Sequence, residues 1–346
     1  MDTWQHLLND SISQCHHLPA HLAPSKEIGR ITEKFPMRIN PYYLGLMAKR
    51  YDPIWLQGVP QEAELNDKVC LEDPLNEENL SPVKNLIHKY PDRVLFLVHS
   101  QCAMYCRFCT RKRKVGTCAM EISPQSLEDG LDYIKHTPAV RDVLVSGGDP
   151  LLLPDDRLDW LLSRLRAIPT VEIIRIGSRV PCTLPQRVTK SLATILSRYH
   201  PLYLNTHFNH PREITPAAAE ACGRLANAGI PLGCQTVLLK GVNDDLATMR
   251  ELLHKLLTIR VKPYYLFQGD MSRGTNHLRT SVTCGQEIMR GLIGHTSGLA
   301  LPTYAVDGPH GSGKVPLTPN YVQEIGEQLI FSNYQGKTCF YDNSGE

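Results

Sequence analysis

Short apolar runs with strand character recur along the chain: RVLFLV from Arg93, DVLVS from Asp142, EIIRI from Glu172, LYLNT from Leu202, CQTVLL from Cys234 and PYYLF from Pro263. A further run, LALPTYAV, begins at Leu299. After a longer first gap the runs lie about 30 residues apart. Between them the apolar positions switch to a helical period. Ser123 and Pro124 supply a cap and first turn for SPQSLEDGLDYIKHT. Asp155 to Leu165, Pro185 to Tyr199, Pro216 to Ala228 and Asp245 to Leu257 fit the same helical template. Strands alternating with helices at this spacing predict βαβ units and a mostly parallel sheet. Six or seven such units predict an α/β fold, a partial TIM-like barrel with its chemistry at the C-terminal ends of the strands.

Three parts follow. Residues 1–90 read as an irregular, helix-containing N-terminal region, rich in Pro, Asn and Asp (INPYY, YDPIW, EDPLNEENLSP). Residues 91–298 read as the barrel. Residues 299–346 carry a glycine-rich loop with a lysine, then a tail. The 346 residues are 42% hydrophobic and 21% charged, which excludes a disordered chain, a collagen and a disulfide mini-protein. A formal net charge of +2 supplies no broad basic field for nucleic acid or an anionic membrane. No apolar run reaches the roughly 18 residues of a spanning helix. MDTWQHLLND lacks the basic start and apolar stretch of a secretion signal, so a cytoplasmic location with reduced thiols is expected.

In that setting the odd count of 11 cysteines argues against a disulfide framework. Cys15, Cys70, Cys118, Cys182, Cys222, Cys234, Cys284 and Cys339 are scattered and read as small, buried or semi-buried apolar residues. Cys102, Cys106 and Cys109 form C-x₃-C-x₂-C directly after the first strand. Three thiolates this close can ligate a soft metal centre. A structural zinc normally takes four protein ligands, and no fourth Cys or His stands at finger spacing. The trio suits a [4Fe–4S] cluster with one iron left open, and Phe108 would shield it. An incomplete zinc site is the alternative.

The loop resembles the hallmark of the radical S-adenosylmethionine (SAM) superfamily. That resemblance implies a partial (β/α)6 barrel in which the open iron binds SAM and one electron cleaves it to a deoxyadenosyl radical. Ser146-Gly147-Gly148-Asp149-Pro150, after the second strand, is similar to the GGDP element that contacts the SAM amino group. Its glycines permit close backbone approach. Arg179, in Arg175-Ile-Gly-Ser-Arg179, is a further candidate SAM contact.

Near the C-terminus, Gly308 to Lys314 fits G-x₄-G-K, a near phosphate-binding loop. Val315 stands where that motif needs Ser or Thr, and Pro316 and Pro319 oppose the helix it needs. A glycine-rich loop can instead deliver a lysine amine to a carbonyl cofactor such as pyridoxal phosphate (PLP). With CAMYCRFCTRKR, YLNTHFNHPREITP, PYYLFQGDMSRGTNHLRT, GHTSG and DGPHGSGKVPLTPNYV, the chain resembles the lysine 2,3-aminomutase family from about Pro36 to about Tyr321. The resemblance implies an isomerase that moves the α-amino group of L-lysine to carbon 3. By position, Lys314 matches the lysine holding PLP as a Schiff base. Arg111 matches the arginine on the substrate carboxylate. Asp270 and Asp307 match the aspartates on its distal ammonium, and Arg93 matches a basic residue near the PLP phosphate. A reductase electron donor and possible homo-oligomer are also implied. Long members carry a cysteine cluster that binds zinc; here Asp245 replaces one loop cysteine and the tail holds only Cys339, so no structural zinc is expected. The shorter length is similar to the branch that makes β-lysine for elongation factor P, whereas Thr110 and THFNHP are nearer the free-lysine enzymes. Arginine and glutamate are alternative substrates, though glutamate variants replace both aspartates. Two readings from other classes are a radical SAM enzyme without PLP and a non-catalytic iron–sulfur protein.

Overall fold

The computed structural model describes residues 3–24 and 29–345. Nine strands form one sheet in chain order: β1 (Leu86–Tyr90), β2 (Arg93–His99), β3 (Asp142–Gly147), β4 (Ile173–Gly177), β5 (Leu202–Thr206), β6 (Leu232–Leu238), β7 (Lys262–Gln268), β8 (Thr303–Gly308) and β9 (Gly313–Pro316). Strands β2 to β8 pair in parallel, while β1 and β9 run antiparallel at the two ends. Six helices make the crossovers: Pro124–Lys135, Asp155–Arg166, Lys190–Leu196, Pro216–Asn227, Leu246–Thr258 and Val282–Leu292. The fold is therefore an α/β partial (β/α)6 barrel, with β8 as a seventh parallel strand.

Local chemistry sets these elements. In β3 and β6 burial alternates residue by residue, matching the period of a strand with one face in the core. Ser123, Thr215 and Asp245 cap their helices by accepting from the backbone N–H three residues on. Core side chains from the N-terminal region, including Trp4, Ile39, Tyr43 and Trp55, pack in the same apolar cluster as the barrel strands and helices.

Some elements differ from expectation. The helix expected over Pro185 to Tyr199 is broken into a 3₁₀ turn at Pro185–Arg187, a helix at Lys190–Leu196 and a second turn at Ser197–Tyr199. Thr189 starts the helix afresh, its hydroxyl accepting from Leu192 N–H at 3.1 Å. LIHKY, within the stretch expected to be irregular, forms β1 by pairing Leu86 with Phe96 and Ile87 with Leu95. The tail forms a separate antiparallel sheet of β10 (Val322–Ile325), β11 (Gln328–Ser332) and β12 (Thr338–Asp342), with Ile325, Phe340 and Tyr341 exposed. Cys118 is exposed rather than packed. Lys314 lies in strand β9, not at a helix start, in keeping with the rejected phosphate-loop reading.

The outer edges of the sheet, β1 and β9, share no backbone ladder among the described residues. The Tyr90 hydroxyl of β1 accepts from Lys314 N–H of β9 at 3.0 Å, and Lys89 Nζ of β1 lies 3.9 Å from an Asp307 oxygen of β8.

Candidate active site

The cysteine loop leaves the C-terminal end of β2. Arg107, between the second and third cysteines, is fully buried. Its Nε donates to Glu64 Oε1 at 3.0 Å, and Nη2 also meets that carboxylate. Lys112 Nζ lies 2.7 Å from Glu64, which thereby receives two cations. Burial works against the Glu64 charge, but Arg107 and Lys112 outweigh it and hold the carboxyl at about 2. The loop is thus strapped to the N-terminal region through ion pairs that its sequence did not announce. Burial, then the charges of Asp149 and the other two cysteines, pushes the Cys102 thiol well up; burial and Cys106 push Cys109 to about 11. Among the described residues, no three Cys, His, Asp or Glu side chains converge as a ready-made metal site. Three soft sulfur donors on one eight-residue loop, near enough for electrostatic coupling, nevertheless fit an iron–sulfur cluster.

The turn after β3 lies against the chain entering that loop. A Cβ on Gly147, whose φ is +133°, would stand 2.3 Å from His99 O. One on Gly148 would stand 2.4 Å from Gln101 O. Only glycine permits this approach. Asp149 is buried, and its carboxylate accepts from Leu151 N, Ser178 Oγ, Arg179 N and Val180 N at 2.7–3.1 Å. Burial raises its carboxyl to about 6 against those bonds. In this structure Asp149 joins the ends of β3 and β4, a use the motif did not reveal. Arg179 follows β4 and reaches the cysteine loop: Nη1 donates to Cys106 Sγ at 2.8 Å.

The other half of the site surrounds Lys314. The β8–β9 register pairs Asp307 with Lys314. Their side chains meet, with Lys314 Nζ 2.8 Å from Asp307 Oδ2 and 5.0 Å from the centre of the Phe267 ring. The lysine side chain is 34% exposed and the aspartate 11%. Asp270, two residues past β7, shares with Asp307 a cavity of about 260 Å³ also lined by Pro74, Leu75, Arg279 and Val306. Burial, then the Asp307 charge, raises the Asp270 carboxyl to about 7, while Lys314 and Lys89 pull the other way. A larger hollow of about 500 Å³ lies between the outer helices Pro124–Lys135 and Asp155–Arg166, lined by none of these groups. Arg93 stacks 3.8 Å over the Tyr90 ring and pairs with Asp92, so it is linked to Lys314 through Tyr90. Arg111 is gripped by Glu77, Nε donating at 3.0 Å and Nη2 at 2.6 Å. Glu77 follows Pro74 and Leu75, so one segment of the N-terminal region spans from the cavity wall to Arg111. A lysine amine, flanking cations at Lys89 and Arg93, and an aromatic face at Phe267 fit a carbonyl-bearing phosphorylated ring.

A cysteine loop thus stands at the end of the first parallel strand with a glycine turn packed against it. The Radical SAM superfamily profile matches residues 97–253, and the Lysine-2,3-aminomutase profile matches residues 289–345. The L-lysine 2,3-aminomutase of Methanococcus maripaludis is 52% identical over 91% of this chain and 74% of that protein. That of Clostridium subterminale is 47% identical over 98% and 83%. The glutamate 2,3-aminomutase of Clostridioides difficile is 47% identical over 90% and 74%. The chain belongs to the lysine 2,3-aminomutase family, isomerases that use a [4Fe–4S] cluster, SAM and PLP. Among the described residues no helix is long and apolar enough to cross a membrane.

Proposed function

We propose that the chain moves the α-amino group of L-lysine to carbon 3, forming β-lysine. The observation carrying this reading is the pair of carboxylates, Asp270 and Asp307, at one cavity beside the Lys314 amine. Two mutually repelling carboxylates bind a distal ammonium and disfavour an acidic side chain. The glutamate enzyme among the relatives therefore does not set the substrate. An iron–sulfur cluster with SAM supplies the hydrogen-abstracting radical, and PLP supplies the π system through which the amino group migrates.

The chain's own residues do the rest. Cys102, Cys106 and Cys109 would hold the cluster; Gly147, Gly148, Asp149 and Arg179 would shape the SAM side. Lys314 would hold PLP, and Arg93 would supply a cation for its phosphate. Arg111, held by Glu77, would meet the substrate carboxylate. Asp307 already faces two cations, Lys314 at 2.8 Å and Lys89 at 3.9 Å, and the substrate ammonium would compete with Lys314 for the carboxylate. Asp270 ionises above about pH 7, so lysine affinity rises as pH passes through that value. A reductase electron donor, a homo-oligomer and a cytoplasmic location complete the proposal.

The test is anaerobic incubation of reconstituted protein with SAM, PLP, a reductant and lysine, arginine or glutamate. β-Lysine is the expected product. Formation of β-glutamate or β-arginine in its place, with cluster and PLP bound, overturns the reading.

A further inference from the structure

The function proposed above uses Arg179 only as a SAM neighbour, yet most of its contacts are with the protein. Nη2 donates to Gln57 Oε1 at 2.6 Å and Glu213 Oε1 at 2.8 Å, with Tyr43 Oη at 3.4 Å. Nε points at His207 O from 3.4 Å. The guanidinium lies 5.1 Å from the Phe108 ring centre and 5.6 Å from that of Tyr43. Nη1 then has one direction open, and it donates to Cys106 Sγ at 2.8 Å.

The grip is itself held. Glu213 is completely buried, and its second oxygen accepts from Asn209 N at 2.6 Å and His210 N at 3.0 Å. Asn209 Nδ2 donates to Gln57 Oε1 at 3.0 Å. The HFNHPRE segment after β5 is thereby tied to Tyr43 and Gln57 of the N-terminal region through one arginine. Burying an arginine and a glutamate together is costly unless their hydrogen bonds are completed, as they are here. A site that needed only a mobile SAM contact would not require five protein partners.

We infer that Arg179 is a positioning residue that sets the reduction potential of the iron–sulfur cluster by donating to the Cys106 sulfur. The inference rests on Cys106 being a cluster ligand, as proposed above. A thiolate bound to iron keeps lone pairs that accept hydrogen bonds, and such bonds are among the levers that tune cluster potentials. The one-electron reduction adds negative charge to the cluster and its sulfurs. A fixed guanidinium donor stabilises that added charge, so it raises the midpoint potential. The effect requires no SAM, which separates it from a SAM-binding role.

The experiment is an EPR-monitored redox titration of the reconstituted, SAM-free protein as wild type, Arg179→Gln and Arg179→Lys. Iron content is counted in each. The midpoint falls in Arg179→Gln, and Arg179→Lys, which keeps the charge but not the fork, lies between. SAM-free midpoints equal to wild type, with weaker SAM binding, overturn the inference and leave Arg179 a SAM contact. Equal midpoints with unchanged SAM binding also overturn it and leave a packing role. If Arg179→Gln loads no iron, Arg179→Lys decides by the same criterion. Cys106→Ala tests the underlying reading separately: a full cluster signal in that variant rejects Cys106 as a ligand, whatever Arg179 does.

Discussion

Around Arg179 the carboxylates are saturated by the fold, whereas around Lys314 they face a cavity. Glu213 is met by Tyr43, Arg179, Asn209 and His210, and Asp149 by Leu151, Ser178, Arg179 and Val180. The Asp270 carboxylate, unlike its backbone carbonyl, which accepts from Thr275 Oγ1, meets no donor among the described residues, and it is raised to about 7 by burial and Asp307. The first region is completed before any small molecule arrives. The second holds charge whose natural partner is brought by the substrate. A resident centre needs fixed surroundings, while a site that loads and releases an amino acid needs interactions that are finished only on binding.

The contrast is broken most severely at Lys314. Lys314→Ala lowers β-lysine formation more than a thousandfold, roughly 4 kcal/mol in transition-state terms. The thermal midpoint of the PLP-free protein stays near wild type, because this side chain is partly exposed. Loss of the PLP-lysine absorbance band checks the cause. In the saturated region the order is reversed, with stability lost first. Glu213→Ala strands Arg179 and three further donors, destabilising the cluster-free chain by roughly 3–5 kcal/mol. A lower urea midpoint with unchanged slope measures this.

Asp270→Asn sharpens the difference, because the substitution improves the fold while harming the site. Between the unfolded value of 3.8 and about 7, the folded state keeps a proton that the unfolded chain releases. Stability therefore falls as pH rises through that window. Asn removes the penalty, so at pH 8 the variant gains on the order of 1–3 kcal/mol, and below pH 4 the gain disappears. Its KM for lysine rises at least tenfold. The smallest effect is expected from Tyr90→Phe, which deletes the acceptor for Lys314 N–H. A loss of about 0.5–1 kcal/mol follows, seen as a few-fold drop in activity.

The barrel was readable because its strands and helices carry their periods locally, from Arg93 to Leu257. The strand LIHKY was not, since its short, half-polar face becomes a strand only against β2. Thr189 broke a helix whose apolar spacing alone ran on to Tyr199, a case of capping overriding periodicity. The candidate side chains were legible as motifs, but their supports were not. Gln57, Tyr43 and Glu213 stand far from Arg179 in sequence, and Glu77 lies in a stretch that reads as loop. The short chemical spacing of Cys102, Cys106 and Cys109 leaves a trace that a network drawn from four distant segments does not. Asp149 was visible as part of a motif, yet its bonds to the β4 turn appear only in three dimensions.

The side-chain closure between β1 and the β8–β9 edge has an energetic consequence. Parting two strands of a backbone ladder is a cooperative event, because neighbouring hydrogen bonds must be lost together. Here the wall beside Lys314 is held by Tyr90 and Lys89. Turning those side chains away costs individual contacts rather than the cooperative loss of a backbone ladder.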